Sequence, residues 1–343
     1  MECTGESVGR VGLDAVVNAA TSIYAEHDGN RSLWDIWSHA LHHAAAVAEE
    51  IRKRSESGVG DKKLKQEIAD LALWLLTMLA RLKGPLGSPT HNQPPQDWVV
   101  RISSSASDLM WNRYPGVCPW CYCATHTDNP SQIDEVDFWR PCRCDVLKIA
   151  GREKEPGELR ARAQWTRRLA ARHMNRRPQS LDCWQDMIAA LYREPLTQAS
   201  LAEVALHLLE EMGEASNSLI RMYTYLEEHW DHIADEIVAR QIRLEDDLAD
   251  VLSWLFGLVG RLDMESSSQP RGSSSTIPAE ISNGRLLLSQ ILWARYGDEE
   301  KQVFQCWSCK NVICSCAIRP IQTQSQVEDL VNKLSNSPNA GAA

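Results

Sequence analysis

One feature constrains this chain more than any other: it repeats itself. Leu13–Glu26 (LDAVVNAATSIYAE) matches Leu181–Glu194 (LDCWQDMIAALYRE), with Leu, Asp, Tyr and Glu in the same places. His42–Glu50 then takes the place of Leu206–Glu214, so Val47 stands where Glu211 stands. Lys65–Leu76 (KQEIADLALWLL) matches Glu245–Phe256 (EDDLADVLSWLF). Ser107–Cys121 matches Ser289–Cys309, and each copy closes on a Cys-x-Cys. Matching blocks in one unchanged order point to duplication. Two modules are expected, at 13–148 and 181–316, joined by a linker at 149–180.

Each copy carries an opening helix, two long amphipathic helices, a Ser/Pro/Gly-rich break, a short helix and a cysteine unit. Leu201, Ala205, Leu208, Met212, Ala215 and Leu219 recur at helical spacing, as do Leu244, Leu248, Val251, Leu255 and Val259. The breaks Lys83–Asp97 and Asp263–Asn283 resist regular structure. Strand alternation is scarce. The expected fold is all-α, two helical bundles each closed by a small four-cysteine zinc-binding unit.

The spacing also sets the chemistry. At about 100° per residue, Glu211 and Glu214 share one flank of their stripe, and Asp247 and Asp250 share the matching flank of theirs. Four carboxylates aimed at one seam raise each other's pKa or recruit a cation. An all-oxygen set suits Mg²⁺ or Mn²⁺. The bland alternative is a set of solvated acids beside a helical stripe.

Eleven cysteines, with no basic-then-apolar leader in MECTGESVGR, argue for metal binding in a reducing, cytoplasmic setting. Cys118, Cys121, Cys142 and Cys144 form one set; Cys306, Cys309, Cys314 and Cys316 form the other. Four thiolates with no open position make a structural Zn²⁺ site; a redox dithiol or an iron–sulfur cluster is the competing reading. Cys123 is a spare, Cys3 a tail thiol and Cys183 a core packer.

The net charge of −10 provides no general attraction to nucleic acid or anionic lipid. The most apolar stretch, Leu71–Leu82, is too short to span a bilayer and contains Arg81. The linker is locally basic: Arg152, Lys154, Arg160, Arg162, Arg167, Arg168, Arg172, Arg176 and Arg177 crowd it. Either it is a solvated linker helix that complements the acidic halves, or it contacts an anion, nucleotide phosphates or nucleic acid.

Glu210-Glu211-x-x-Glu214, followed on the next helix by Asp247-x-x-Asp250, resembles the MazG-like family of all-α nucleoside triphosphate pyrophosphohydrolases. The resemblance covers about 201–262, with a weaker echo at 41–82, and excludes the cysteine units. It implies a helical-bundle fold, commonly dimeric, and Mg²⁺ held by Glu211, Glu214, Asp247 and Asp250. The implied reaction is hydrolysis of an NTP or dNTP to the monophosphate and pyrophosphate. Asp247 is one methylene shorter than the family's Glu. In the first copy Glu50, Glu67 and Asp70 remain as a degenerate, metal-poor site. An intrachain pseudo-dimer or a homo-oligomer is expected. The alternative is a non-catalytic nucleotide sensor or scaffold with structural zinc, contacting nucleic acid through the basic linker.

Overall fold

The computed structural model describes residues 11–28, 31–57, 61–83, 100, 102–120, 138–142, 144, 156–228, 235–268, 285–298 and 300–315. The described residues are predominantly helical, as the apolar periodicity predicts. In the first half α1 spans Leu13–Asp28, α2 Leu33–Ser57, α3 Lys62–Leu82 and α4 Ala106–Arg113. The linker forms α5, Pro156–Arg172, and a 3₁₀ turn at Met174–Arg176. In the second half α6 spans Leu181–Leu191, α7 Arg193–Gln198, α8 Leu201–Glu228, α9 Asp235–Ser268 and α10 Leu288–Tyr296. A two-residue antiparallel ribbon follows, β1 Gly297–Asp298 with β2 Val303–Phe304.

Local chemistry explains where the helices begin. Ser200 caps α8: its Oγ accepts from the Glu203 amide, and Glu203 accepts in return from the Ser200 amide. Ser32 accepts from the Asp35 amide at the head of α2, and Ser105 and Ser180 cap α4 and α6 in the same way.

Helices α2 and α3 form one antiparallel hairpin, and α8 and α9 form another. Helix α2 lies against α8, so the hairpins meet through their first members. Helix α1 covers α3, and α6 covers α9. One continuous apolar core runs through both halves, from Leu13 and Ile68 to Leu248, Val259 and Leu292. It contains Trp111 and Trp184, both fully buried and packed edge to face.

The short helices cross over. Helix α4 packs on α9 of the other half, and α10 packs on α3. Each begins on its own opening helix: Asp14 accepts from the Ser107 amide, and Asp182 accepts from the Ser289 hydroxyl. These are the repeated Asp and Ser of the two copies. Each then leaves its half and ends against the other.

The arm containing α10 makes its exit at Gly297. A Cβ there would sit 2.6 Å from the Trp293 carbonyl oxygen and 2.5 Å from its ring. Overpacking of this kind costs about 1–3 kcal/mol. Gly297→Ala is therefore expected to lower stability by that amount, read from the urea midpoint of the full chain.

The two halves also correspond in a register shifted from the one the sequence suggests. Helices α2 and α8 start at Leu33 and Leu201, each after a capping Ser. His39 stacks on Trp74 as His207 stacks on Trp254, at 4.5 and 4.7 Å. That alignment slides the α2 block by one turn. His43, not Val47, faces the place of Glu211, and Glu50 falls opposite Ser218. A slip of one turn preserves the apolar stripe, so periodicity alone is nearly blind to it.

Candidate functional site

The seam between α8 and α9 gathers the acids in unequal ways. Asp250 is buried and doubly held: Arg113 Nε donates to Oδ1 at 2.8 Å and Nη2 to Oδ2 at 2.7 Å. Tyr114 donates its hydroxyl to Oδ1 at 2.5 Å and accepts from Ser253 Oγ at 3.1 Å. Both partners belong to the first-half arm. Asp247 is buried, accepts from Ser218 Oγ, and lies 3.5 Å from Arg243 Nε. Glu211 accepts from Trp254 Nε1 at 3.2 Å. Glu214 is half exposed, 3.7 Å from Arg243 Nη2.

Burial and neighbouring charge shift these acids. Burial, then the carboxylates of Asp250 and Glu214, pushes Glu211 up to about 8. Burial raises Asp247 to about 6, eased by the Ser218 hydrogen bond and by Arg243. Glu211, Asp247 and Asp250 therefore face the seam as the wheel predicts, while Glu214 sits at its mouth.

Two further buried acids escaped the family motif. Asp246 meets Arg167 at 3.0 Å and Arg113 at 3.8 Å. Glu245 accepts from the Ser103 and Ser104 amides at 3.1 and 3.2 Å, and meets Arg167 at 3.4 Å. The sequence signal was present: an unbroken Glu245-Asp246-Asp247 run on an amphipathic helix cannot place every acid in water.

The first half carries a parallel arrangement. Asp70 accepts from Arg295 Nε and Nη2 at 3.0 and 2.9 Å and from Tyr296, all on the second-half arm. His43 Nδ1 lies 2.9 Å from Glu67. Among the described residues, three groups hold donor atoms all within 4.8 Å of one another: His43 with Glu67 and Asp70, and two cysteine sets. The half read as metal-poor thus gathers donors more tightly than the half with more acids. Glu50 is not one of them; it pairs with Lys53 and Lys63, each at 3.0 Å.

The cysteine sets are Cys118, Cys142 and Cys144, and Cys306, Cys309 and Cys314. Sulfurs lie 3.5 Å apart for Cys118 and Cys142, 3.7 Å for Cys118 and Cys144, and 3.4 Å for Cys306 and Cys314. Tetrahedral thiolates on zinc sit about 3.8 Å apart, given Zn–S bonds of about 2.3 Å, so these donors fit the ion. Hydrogen bonds from the Ser315 and Asn311 amides lower Cys309 to about 6. Cys121 and Cys316, along with Cys3 and Cys123, lie outside the described residues. Cys183 is buried but disulfide-bonded, so it is not the simple core-packing thiol that the sequence suggested.

The basic linker is only partly solvated. Arg162 is buried over the Trp120 ring at 3.5 Å, while Arg176 lies exposed over Phe138 at 4.4 Å. Arg167 and Arg177 pair with acids, as a linker that complements the acidic halves would. The Trp254 ring carries His207 stacked on it at 4.7 Å. No helix among the described residues is long and apolar enough to cross a membrane. No family model, curated protein or solved structure matches the chain.

Proposed function

We propose that the chain is a divalent-cation-dependent nucleoside triphosphate pyrophosphohydrolase of the MazG-like kind. In this reading the halves are tandem helical-bundle modules, and the working site is the α8–α9 seam. The observation that carries it is the seam itself, where Glu211 and Asp247 face each other's helix and burial, then the charges of Asp250 and Glu214, pushes Glu211 up to about 8. A seam that concentrates negative charge to that degree favours a divalent ion.

Glu211, Glu214 and Asp247 would hold Mg²⁺ or Mn²⁺. Bound there, the ion supplies charge neutralisation for phosphate oxygens and a lowered pKa for an attacking water. Asp250, gripped by Arg113 and Tyr114, keeps α9 in place against the arm and adds its charge to the seam. Arg243 stands at the mouth, half exposed, between Asp247 and Glu214. Its guanidinium would meet the pyrophosphate portion of the substrate. A seam carboxylate takes the proton of the attacking water.

The test is pyrophosphate release from a panel of NTPs and dNTPs with Mg²⁺ or Mn²⁺. Turnover that falls with Glu214→Gln is expected. A panel with no turnover overturns the reading.

One observation favours a second reading. Asp70 and Asp250 each accept hydrogen bonds from an arginine–tyrosine pair of the opposite arm. That symmetry suits a scaffold or nucleotide sensor whose acids are structural. Saturable nucleotide binding without hydrolysis would select it.

A further inference from the structure

We propose that each cysteine unit is a zinc site that clasps one half of the chain to the other. The ion would not close its own half; it would tie that half's arm to the opposite opening helix. This inference is independent of the hydrolase reading.

The backbone carries the first part of the argument. Helix α1 breaks at Tyr24 (φ −109, ψ 15), and α6 ends at Tyr192 (φ −108, ψ 24). These are the repeated tyrosines of the two copies. A helix that turns off there leaves the preceding carbonyls open. The Ile23 carbonyl accepts from the Cys314 amide at 2.7 Å, and the Leu191 carbonyl accepts from the Cys142 amide at 2.6 Å. Each bond joins a cysteine of one half to a helix of the other.

The side chains repeat the exchange. Ile23 is buried together with Cys306 and Cys314, with Tyr24 packed against them. Tyr192 reaches Cys118 with its hydroxyl, 3.8 Å from Sγ. It also packs edge to face on Tyr114, the residue that grips Asp250. Arg295 lies over Trp307 of the Cys306–Cys309 pair at 4.3 Å, and Arg113 lies over Trp120 of the Cys118 turn at 5.5 Å. The arm, its arginine and its thiolates form one connected piece on each side.

Three converging sulfurs point to an ion and not to a disulfide. Separations of 3.4–3.7 Å far exceed a bonded S–S distance of about 2.05 Å. Soft thiolates select zinc over hard cations such as Mg²⁺. Cys118 follows directly on the arm, whereas Cys142 and Cys314 bond to the opposite helix. An ion shared by both ends therefore holds the crossing closed, and its binding couples to folding.

The experiment measures metal content and amide exchange on the full chain. The purified protein should carry two Zn²⁺ per chain by elemental analysis, and Co²⁺ substitution should produce thiolate charge-transfer absorption. Cys314→Ser should lose one ion and raise exchange at least tenfold at Ile23–Tyr24, leaving Leu191–Tyr192 protected. Cys142→Ser should do the reverse. If either variant fails to fold, chelator titration of the unmodified chain provides the readout: both helix ends should lose protection together with the metal. The proposal is overturned by a protein that binds no zinc, by iron in the sites, or by lost protection confined to the half that bears the substitution.

Discussion

Replacing Arg113 with Met is expected to lower the unfolding free energy by about 3–5 kcal/mol, the cost of leaving a buried charge without its partner. Arg113 and Asp250 are both buried, and the pair spans the two halves of the chain. Removing the guanidinium strands a carboxylate beside Glu211 and Asp247. A double variant, Arg113→Met with Asp250→Leu, should recover most of the loss, because neither charge then remains; Tyr114 keeps Ser253 as a partner. Denaturant unfolding of the single and double variants decides this. Equal losses in both would mean that the pair is not the source. The mirror change, Arg295→Met, should cost less, since that side chain is 19% exposed against 7% for Arg113.

The second large effect concerns Glu211 and pH. Its folded pKa of about 8 lies above the ordinary 4.5, so the folded state binds more protons than the unfolded state between those values. Stability from this residue is full below about 4.5 and is lost as pH rises through 8. Glu211→Gln removes that slope. The variant should match the native chain near pH 5 and exceed it by ~3 kcal/mol at pH 9. Asp247, raised to about 6, adds a smaller loss confined to the lower part of the window. Mg²⁺ or Mn²⁺ should restore the native chain's stability at high pH but not the variant's. If the chain is the hydrolase proposed above, the same substitution should cut turnover by about 10–100-fold, as loss of a metal-ordering group does. Parallel stability curves for the two proteins across pH 5–9 would remove the seam from consideration as a cation site.

Much of the architecture was legible in the chain. The apolar stripes of 201–219 and 244–259 were enough to predict α8 and α9 and to aim Glu211, Asp247 and Asp250 into the seam between them. The repeat predicted that whatever one half did, the other would echo. It also marked the residues that matter without saying why: the repeated Asp14 and Asp182 anchor the arms, and of the repeated tyrosines Tyr24 kinks α1 and Tyr192 ends α6, each beside a cysteine unit.

Other features were decided only in three dimensions. An apolar stripe requires burial but does not name its partner, and two similar copies offer each arm two similar surfaces. Packing resolves that choice in favour of the opposite half, and with it the delivery of Arg113 to Asp250 and Arg295 to Asp70. The one-turn slip that brings His43 to Glu67 is hidden for a related reason, since shifting a helix by a turn returns nearly the same face. The inward turn of Arg162 and Arg167 had no sequence signal beyond local charge. Periodicity and spacing thus determined the helices and the acidic flank, and marked the cysteines that gather in threes. Which copy meets which was settled by tertiary packing, because burial rewards area and shape, and the two copies differ too little in either along the sequence to decide it.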